Sequence, residues 1–174
     1  ITVMTSSIND PNDPLTETVL KTAAGLGIQR YRMKYFKYSL DLAPALQIES
    51  WRSRLKELAA LNAEVGIRGL YQNHAGDRYF GAAIWDLAHA LRDISADQIA
   101  VAYDIRHATV EGGTSWPTTF RMIRPYVDTV YVKDFVWGDG PRPANVPLGT
   151  GRVDRKFFAM LKESKFSGPI SLHE

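Results

Sequence analysis

Apolar positions along the chain follow two periods in turn. Short runs of β-branched and aromatic residues are each followed by a longer segment in which apolar residues return every three or four positions. The first run, Ile1 to Ile8 (ITVMTSSI), breaks at Asn9-Asp10-Pro11-Asn12-Asp13-Pro14, a turn-rich loop. A helix is expected from Leu15 to Leu26, with Leu20, Ala23 and Leu26 at helical spacing and Gly25 and Gly27 closing it. Arg30 to Tyr38 (RYRMKYFKY) alternates cationic and aromatic residues and predicts a strand. Pro44 to Glu49 leads into an amphipathic helix, Trp51 to Val65, whose inner stripe is Trp51, Leu55, Leu58, Leu61 and Val65; Gly66 stops it.

The alternation continues to the last residue. Ile67 to His74 predicts a strand, and Ala82 to Ile94 a helix with Ile84, Leu87, Ala88 and Leu91 on one face. Gln98 to His107 (QIAVAYDIRH) is the clearest stretch: a continuous apolar run, as in a strand buried on both faces, ending on Asp104. Ser115-Trp116-Pro117 then opens a helix through Ile123, and Asp128 to Phe135 reads as a strand. Gly138 to Gly151 reads as a long loop, Asp154 caps a helix through Leu161, and Pro169 to Glu174 closes the pattern as a strand. Strand and helix in strict turn imply right-handed crossovers and a parallel sheet. The pattern fits one domain over residues 1–174 that forms part of an eight-stranded α/β barrel, without its first two βα units and last helix. The rival, a doubly wound open sheet, lacks a G-x-G-x-x-G opening a helix after a strand.

Composition narrows the function classes. Hydrophobic residues make up 45% and charged residues 23% of 174, the proportions of an ordinary globular domain. The net charge of +2 comes without a basic tract, so no nucleic-acid partner is expected. No apolar run is long enough to span a bilayer, and no membrane partner is expected. With no cysteine, disulfides and thiolate zinc sites are excluded. The chain begins at Ile1 rather than Met, so localisation stays open, with the cytoplasm favoured. A homo-oligomer is compatible with all of this.

Candidate chemistry gathers at strand ends. A carboxylate ending a buried strand is costly without a partner, a metal or a substrate, and parallel α/β folds bind ligands at that end. The plain alternative for Asp104 is a turn cap, with His107 in a surface loop. Alternation places Leu70, Gln72 and His74 on one face of their strand, Tyr131 and Lys133 on one face of theirs, and Ile170, Leu172 and Glu174 together. The expected ring is therefore Gln72, His74, Asp104, His107, Tyr131, Lys133 and Glu174. Arg32 and Lys34, late in their strand, are candidates for a substrate phosphate or carboxylate. Trp116 and Trp137 are candidates for an apolar wall against a sugar face, with core packing as the alternative. Pro147-Leu148-Gly149-Thr150-Gly151 is expected to fold over the barrel mouth, unless its glycines only turn the chain.

In order, Q-N-H-A-G (72–76), D-I-R-H (104–107), V-Y-V-K-D (130–134), P-L-G-T-G-R-V-D (147–154) and G-P-I-S-L-H-E (168–174) resemble the xylose isomerase-like sugar isomerases and epimerases. The resemblance runs well from about Gly66 to Glu174 and more loosely over Ile1 to Tyr38. It implies a TIM barrel and a small sugar-like substrate, such as a sugar, polyol or sugar phosphate, isomerised or epimerised by proton abstraction next to a carbonyl. The family holds a divalent metal through Glu, Asp, His and Glu. By position these become Gln72, Asp104, Tyr131 and Glu174, so two of the four ligands are changed. The resemblance thus implies Mg²⁺ or Mn²⁺ held loosely by Asp104, Glu174 and Gln72, or no metal. It leaves Glu174 as the base, with Lys133 and His107 to stabilise an oxyanion. His74, Tyr131, Arg32, Lys34 and Trp116 remain for substrate binding. Two other readings stand beside this one. The first is a metal-free barrel that binds carbohydrate without turnover. The second is an abasic-site endonuclease relative, disfavoured because only His74, His89, His107 and His173 could feed a multi-metal cluster.

Overall fold

A computed structural model describes residues 3–140 and 142–172. Its frame is a six-stranded, all-parallel sheet: β1 (Met4–Thr5), β2 (Arg30–Arg32), β3 (Arg68–Gln72), β4 (Ile99–Asp104), β5 (Val127–Val132) and, at the far edge, a strand at Ile170–Leu172. The strands lie side by side in chain order, as successive right-handed β-α-β units require. The crossovers carry α1 (Thr16–Gly25), α2 (Pro44–Val65), α3 (Trp85–Leu91), α4 (Ile105–Gly112), α5 (Trp116–Ile123) and α6 (Lys156–Glu163). This is the expected partial barrel.

The alternation read from sequence sorts the side chains into two layers. Ile99, Val101, Tyr103, Val130 and Val132 join Leu55, Leu58, Phe120 and Phe157 in the large core between sheet and helices. Leu70, Ala100, Ala102 and Tyr131 form a smaller cluster on the other face, the barrel interior. Asp104, Gln72 and Lys133 continue that inner row beyond the last apolar residue of each strand. Deep in the outer core, Asn62 of α2 receives the Tyr31 hydroxyl at 3.0 Å and donates to the Gln98 carbonyl at 3.0 Å. Gly69 leaves room for it: a Cβ there would stand 3.0 Å from Asn62 Nδ2 and 3.1 Å from Tyr31 Oη.

Four expectations are corrected. The second strand is regular only over Arg30–Arg32, because the chain beyond it leaves β3 and Lys37 bridges Tyr79 instead. Residues 134 and 135 do not complete β5. Asp134–Trp137 forms β6, which pairs antiparallel with β7 (Pro143–Val146), so the expected loop holds a two-stranded ribbon. The edge strand Ile170–Leu172 is thus β8. Helix α4 starts directly after Asp104, so the surface-loop alternative for His107 is not realised. Finally, α2 starts at Pro44, whose fixed φ and missing N–H suit a first helical turn.

Candidate active site

The C-terminal ends of β3, β4 and β5 converge on Asp104, whose side chain is fully buried. Two functions meet in this carboxylate. As the N-cap of α4 it accepts the His107 backbone N–H at 3.1 Å through Oδ1, which is the turn-capping alternative realised. Through Oδ2 it receives Lys133 Nζ at 2.9 Å and Gln72 Nε2 at 3.1 Å, with His107 Nε2 at 3.5 Å. Asn73 locks the backbone beneath: its Oδ1 takes the Asp104 N–H at 2.8 Å and its Nδ2 donates to the Asp104 carbonyl at 3.0 Å. The β4–β5 register sets Asp104 opposite Tyr131, which brings Lys133 over the carboxylate two residues later.

Gln72 is held on both sides. Its Oε1 accepts from Tyr35 Oη at 2.8 Å and Arg32 Nη1 at 3.1 Å, while its amide nitrogen serves Asp104. Arg32 therefore reaches the cluster, whereas Lys34 is exposed and makes no ion pair among the described residues. Burial pushes the Tyr35 phenol up to about 12 and raises Tyr131 as well, so both remain neutral donors. His107 is buried, and its Nδ1 lies 3.2 Å from Arg106 Nη1. A guanidinium has no lone pair to offer, so Nδ1 accepts and the imidazole proton sits on Nε2, facing Asp104. The ring of His74 lies 4.0 Å from that of His107 and 4.5 Å from that of Tyr79. Burial lowers the pKa of His74, which favours its neutral form.

The structure thus gathers Gln72, His74, Asp104, His107, Lys133 and Arg32, with Tyr131 in the interior row beneath. Trp116 is not among them: it is 4% exposed and packs edge-on against Phe157 in the outer core, 6.1 Å between centroids. Helix α5 turns it toward the sheet's outer face. Glu174, expected both as base and as metal ligand, lies outside the described residues, as does His173. Sequence reading missed Tyr35, Asn73 and Arg106. Arg106 stood within D-I-R-H, and its burial followed from the helix that was not expected there.

The ribbon stands beside this cluster. A cavity of about 270 Å³ is lined by Lys133, Asn145, Val146, Pro147, Leu148 and Leu172, so the start of this loop lies beside Lys133. Its anchor is Asp134, whose carboxylate accepts the backbone N–H groups of Phe135, Gly149, Gly151 and Val153 at 2.8 to 3.0 Å. Burial opposes ionisation of Asp134, but these four donors outweigh it and hold the pKa below the ordinary carboxylate range. Gly151 is required by close approach, since a Cβ there would overlap the Phe135 carbonyl and the Asp134 carboxylate.

The family's divalent ion can be tested against these donors. The Gln72 amide oxygen has both lone pairs occupied, the Tyr131 phenol is kept protonated by burial, and an ammonium lies against Asp104. Among the described residues no three His, Asp or Glu side chains converge to hold an ion. At the three described positions the donors are thus engaged or protonated, and the fourth, Glu174, lies outside the described residues.

Known proteins agree with the architecture. The family model described as xylose isomerase-like TIM barrel matches residues 15–174, and the chain belongs to that family. It is similar in fold to the probable 3-DHS dehydratase AsbF of Bacillus anthracis, with a TM-score of 0.74 at 15% identity over 100% of this chain and 70% of that one. A D-tagatose 3-epimerase-like protein gives 0.72 at 17% identity over 97% and 68%. The 3-keto-D-glucoside 4-epimerase YcjR of E. coli gives 0.70 at 13% over 99% and 71%. No curated protein matches the sequence. No helix among the described residues is long and apolar enough to cross a membrane.

Proposed function

We propose that the protein is an isomerase- or epimerase-like enzyme of sugars, polyols or sugar phosphates that moves a proton next to a carbonyl without a resident metal. The observation that carries this reading is the Lys133 ammonium, 2.9 Å from the fully buried Asp104 carboxylate at the C-terminal end of a parallel sheet. That end is where TIM barrels keep their chemistry. The family membership and the sugar epimerases among its structural neighbours support the substrate class.

In the proposed reaction a base takes the proton from the carbon beside the carbonyl, the C–H electron pair becomes a C=C bond, and the C=O π pair moves onto the carbonyl oxygen to give an enediolate. Lys133, 17% exposed and bordering the ribbon cavity, donates to that oxyanion, while His107, whose Nε2 faces Asp104, acts through that carboxylate. Returning the proton to the former carbonyl carbon isomerises the sugar when the adjacent hydroxyl's proton passes to the oxyanion; epimerisation needs a second acid on the opposite face, with the first base keeping the proton it took. Glu174 is the base that the family resemblance offers. Asp104 is a positioning residue, which aims Lys133 and His107 and balances the ammonium. The proposed active unit is a closed barrel to which these six strands contribute. A second reading, a barrel that binds sugar without turnover, is favoured by the fully engaged Gln72 amide where the family places a metal-binding carboxylate.

Incubation of the purified protein with ketoses in D₂O, with and without a chelator, tests both readings. Solvent deuterium should enter the carbon beside the carbonyl at a rate the chelator leaves unchanged, and Lys133→Met should slow it about 100-fold. Sugar binding without exchange would leave the non-catalytic barrel. Exchange abolished by the chelator would restore the metal.

A further inference from the structure

A second cavity, of about 620 Å³, opens on the opposite side of the ribbon from Lys133's. It is lined by His74, Tyr79, Arg106, Glu111, Trp137 and Arg142, among others. Arg106 is its most constrained member. It is 9% exposed, its guanidinium lies 5.5 Å from the Phe135 ring centroid, and Nη2 donates to the Pro143 carbonyl at 3.1 Å. The Nη1 contact to His107 uses a second N–H. A guanidinium carries five N–H donors, so three remain, and Nε has no partner among the described residues. Nor does any described carboxylate form an ion pair with it, an unusual state for a buried arginine. Arg142, exposed on the groove's rim, also lacks an ion pair among the described residues. The acid in the lining is Glu111, whose Oε1 accepts the Gly76 N–H at 2.8 Å. Two guanidinium groups thus face one carboxylate that is already engaged. Trp137, 52% exposed, supplies an aromatic wall.

We propose that this groove binds an oxyanion carried by the substrate, a carboxylate or a phosphate, through Arg106 and Arg142. A planar guanidinium fixed by a ring face and two hydrogen bonds is suited to such a group, since little freedom remains to be lost on binding. The same Arg106 touches His107, so an anion seated here is held next to the imidazole. The inference rests on the sugar-enzyme reading for the remainder of the ligand, but the anion site stands or falls by itself. It is a separate place from the Arg32 and Lys34 expected by sequence, of which Arg32 donates to Gln72 through Nη1.

The test is titration calorimetry at constant ionic strength with inorganic phosphate, D-fructose, D-fructose 6-phosphate and D-gluconate. The protein is compared with Arg142→Glu and with Arg106→Gln; the former is an exposed change that leaves the fold intact. One of the anionic sugars should bind about tenfold or more tightly than D-fructose, and both variants should remove that preference. Preference for D-fructose 6-phosphate identifies a phosphate, and for D-gluconate a carboxylate. D-fructose binding as well as its anionic counterparts would overturn the anion site and leave the sugar reading intact. Phosphate bound in an Arg142-dependent manner without any sugar binding would uphold the site and remove the sugar reading. Anion preference unchanged in Arg142→Glu, or no binding of any probe, overturns the inference.

Discussion

Two buried carboxylates sit at opposite ends of β4 and β5, and they are neutralised in different ways. At the N-terminal end Asp128, 7% exposed at its side chain, receives Arg30 Nε at 2.7 Å, the Arg68 guanidinium and the Thr129 hydroxyl. The starts of β2, β3 and β5 are thus tied by permanently charged, forked donors, and Arg68 also pairs with Asp97 just before β4. At the C-terminal end Asp104 has a lysine, an amide, an imidazole and a backbone N–H. Nothing at the Asp128 end can easily give up a proton or swing away. At the Asp104 end one cation is a flexible ammonium and its neighbour a titratable ring. The first arrangement fastens the sheet, and the second can exchange partners with a substrate, as the division of labour between the two faces of such barrels requires.

The widest contrast should appear in stability. Asp128→Ala leaves two guanidinium groups facing each other and is expected to cost about 3 kcal/mol in urea unfolding, while proton exchange by the folded fraction is retained. A change near zero would break the comparison from the Asp128 side. Next in size, Lys133→Met should slow exchange about 100-fold, roughly 2.7 kcal/mol of transition-state stabilisation, and Lys133→Arg should not recover it. If exchange survived at the native rate, Asp104 would be a structural carboxylate like Asp128. Smaller again, Gln72→Glu combined with Tyr131→His should raise Mn²⁺ affinity by about tenfold or more in calorimetry, because both changes supply ligands the present donors lack. The smallest effect is in acid. The pKa of Asp128 is lowered on folding: burial opposes ionisation, but the hydrogen bonds of Arg30, Thr129 and Arg68 outweigh it. Its contribution is therefore present above the unfolded value near 4 and fades as pH falls through the folded one. Asp128→Asn should flatten the acid limb of stability against pH.

The strand order and the inward rows were legible because a period of two is written directly into Leu70-Tyr71-Gln72 and Tyr131-Val132-Lys133. Asp104, His107 and Lys133 could be named for the same reason. What escaped was whatever depended on the chain leaving its strand. Ile105 to Gly112 has too few apolar residues to declare a helix; it is started by the Asp104 cap, an interaction that only folding supplies. The ribbon escaped because its pairing is fixed from outside, by the reach of Asp134. Tyr35 and Asn73 act through hydrogen bonds across strands, which carry no periodic signal. Trp116 looked like a site residue by position alone, and the face of α5 decided otherwise.

Asp134 has a consequence for how this surface can diverge. By gathering N–H groups from residues on both sides of the ribbon, it closes a loop whose two ends are pinned to one side chain. The residues between Trp137 and Pro147 that make neither the β6–β7 ladder nor the Arg106 contact can then change without disturbing β5, the Gly151 turn or α6. The ribbon borders both cavities, so changes at residues such as Arg142 and Asn145 can alter what those cavities accept without touching Lys133.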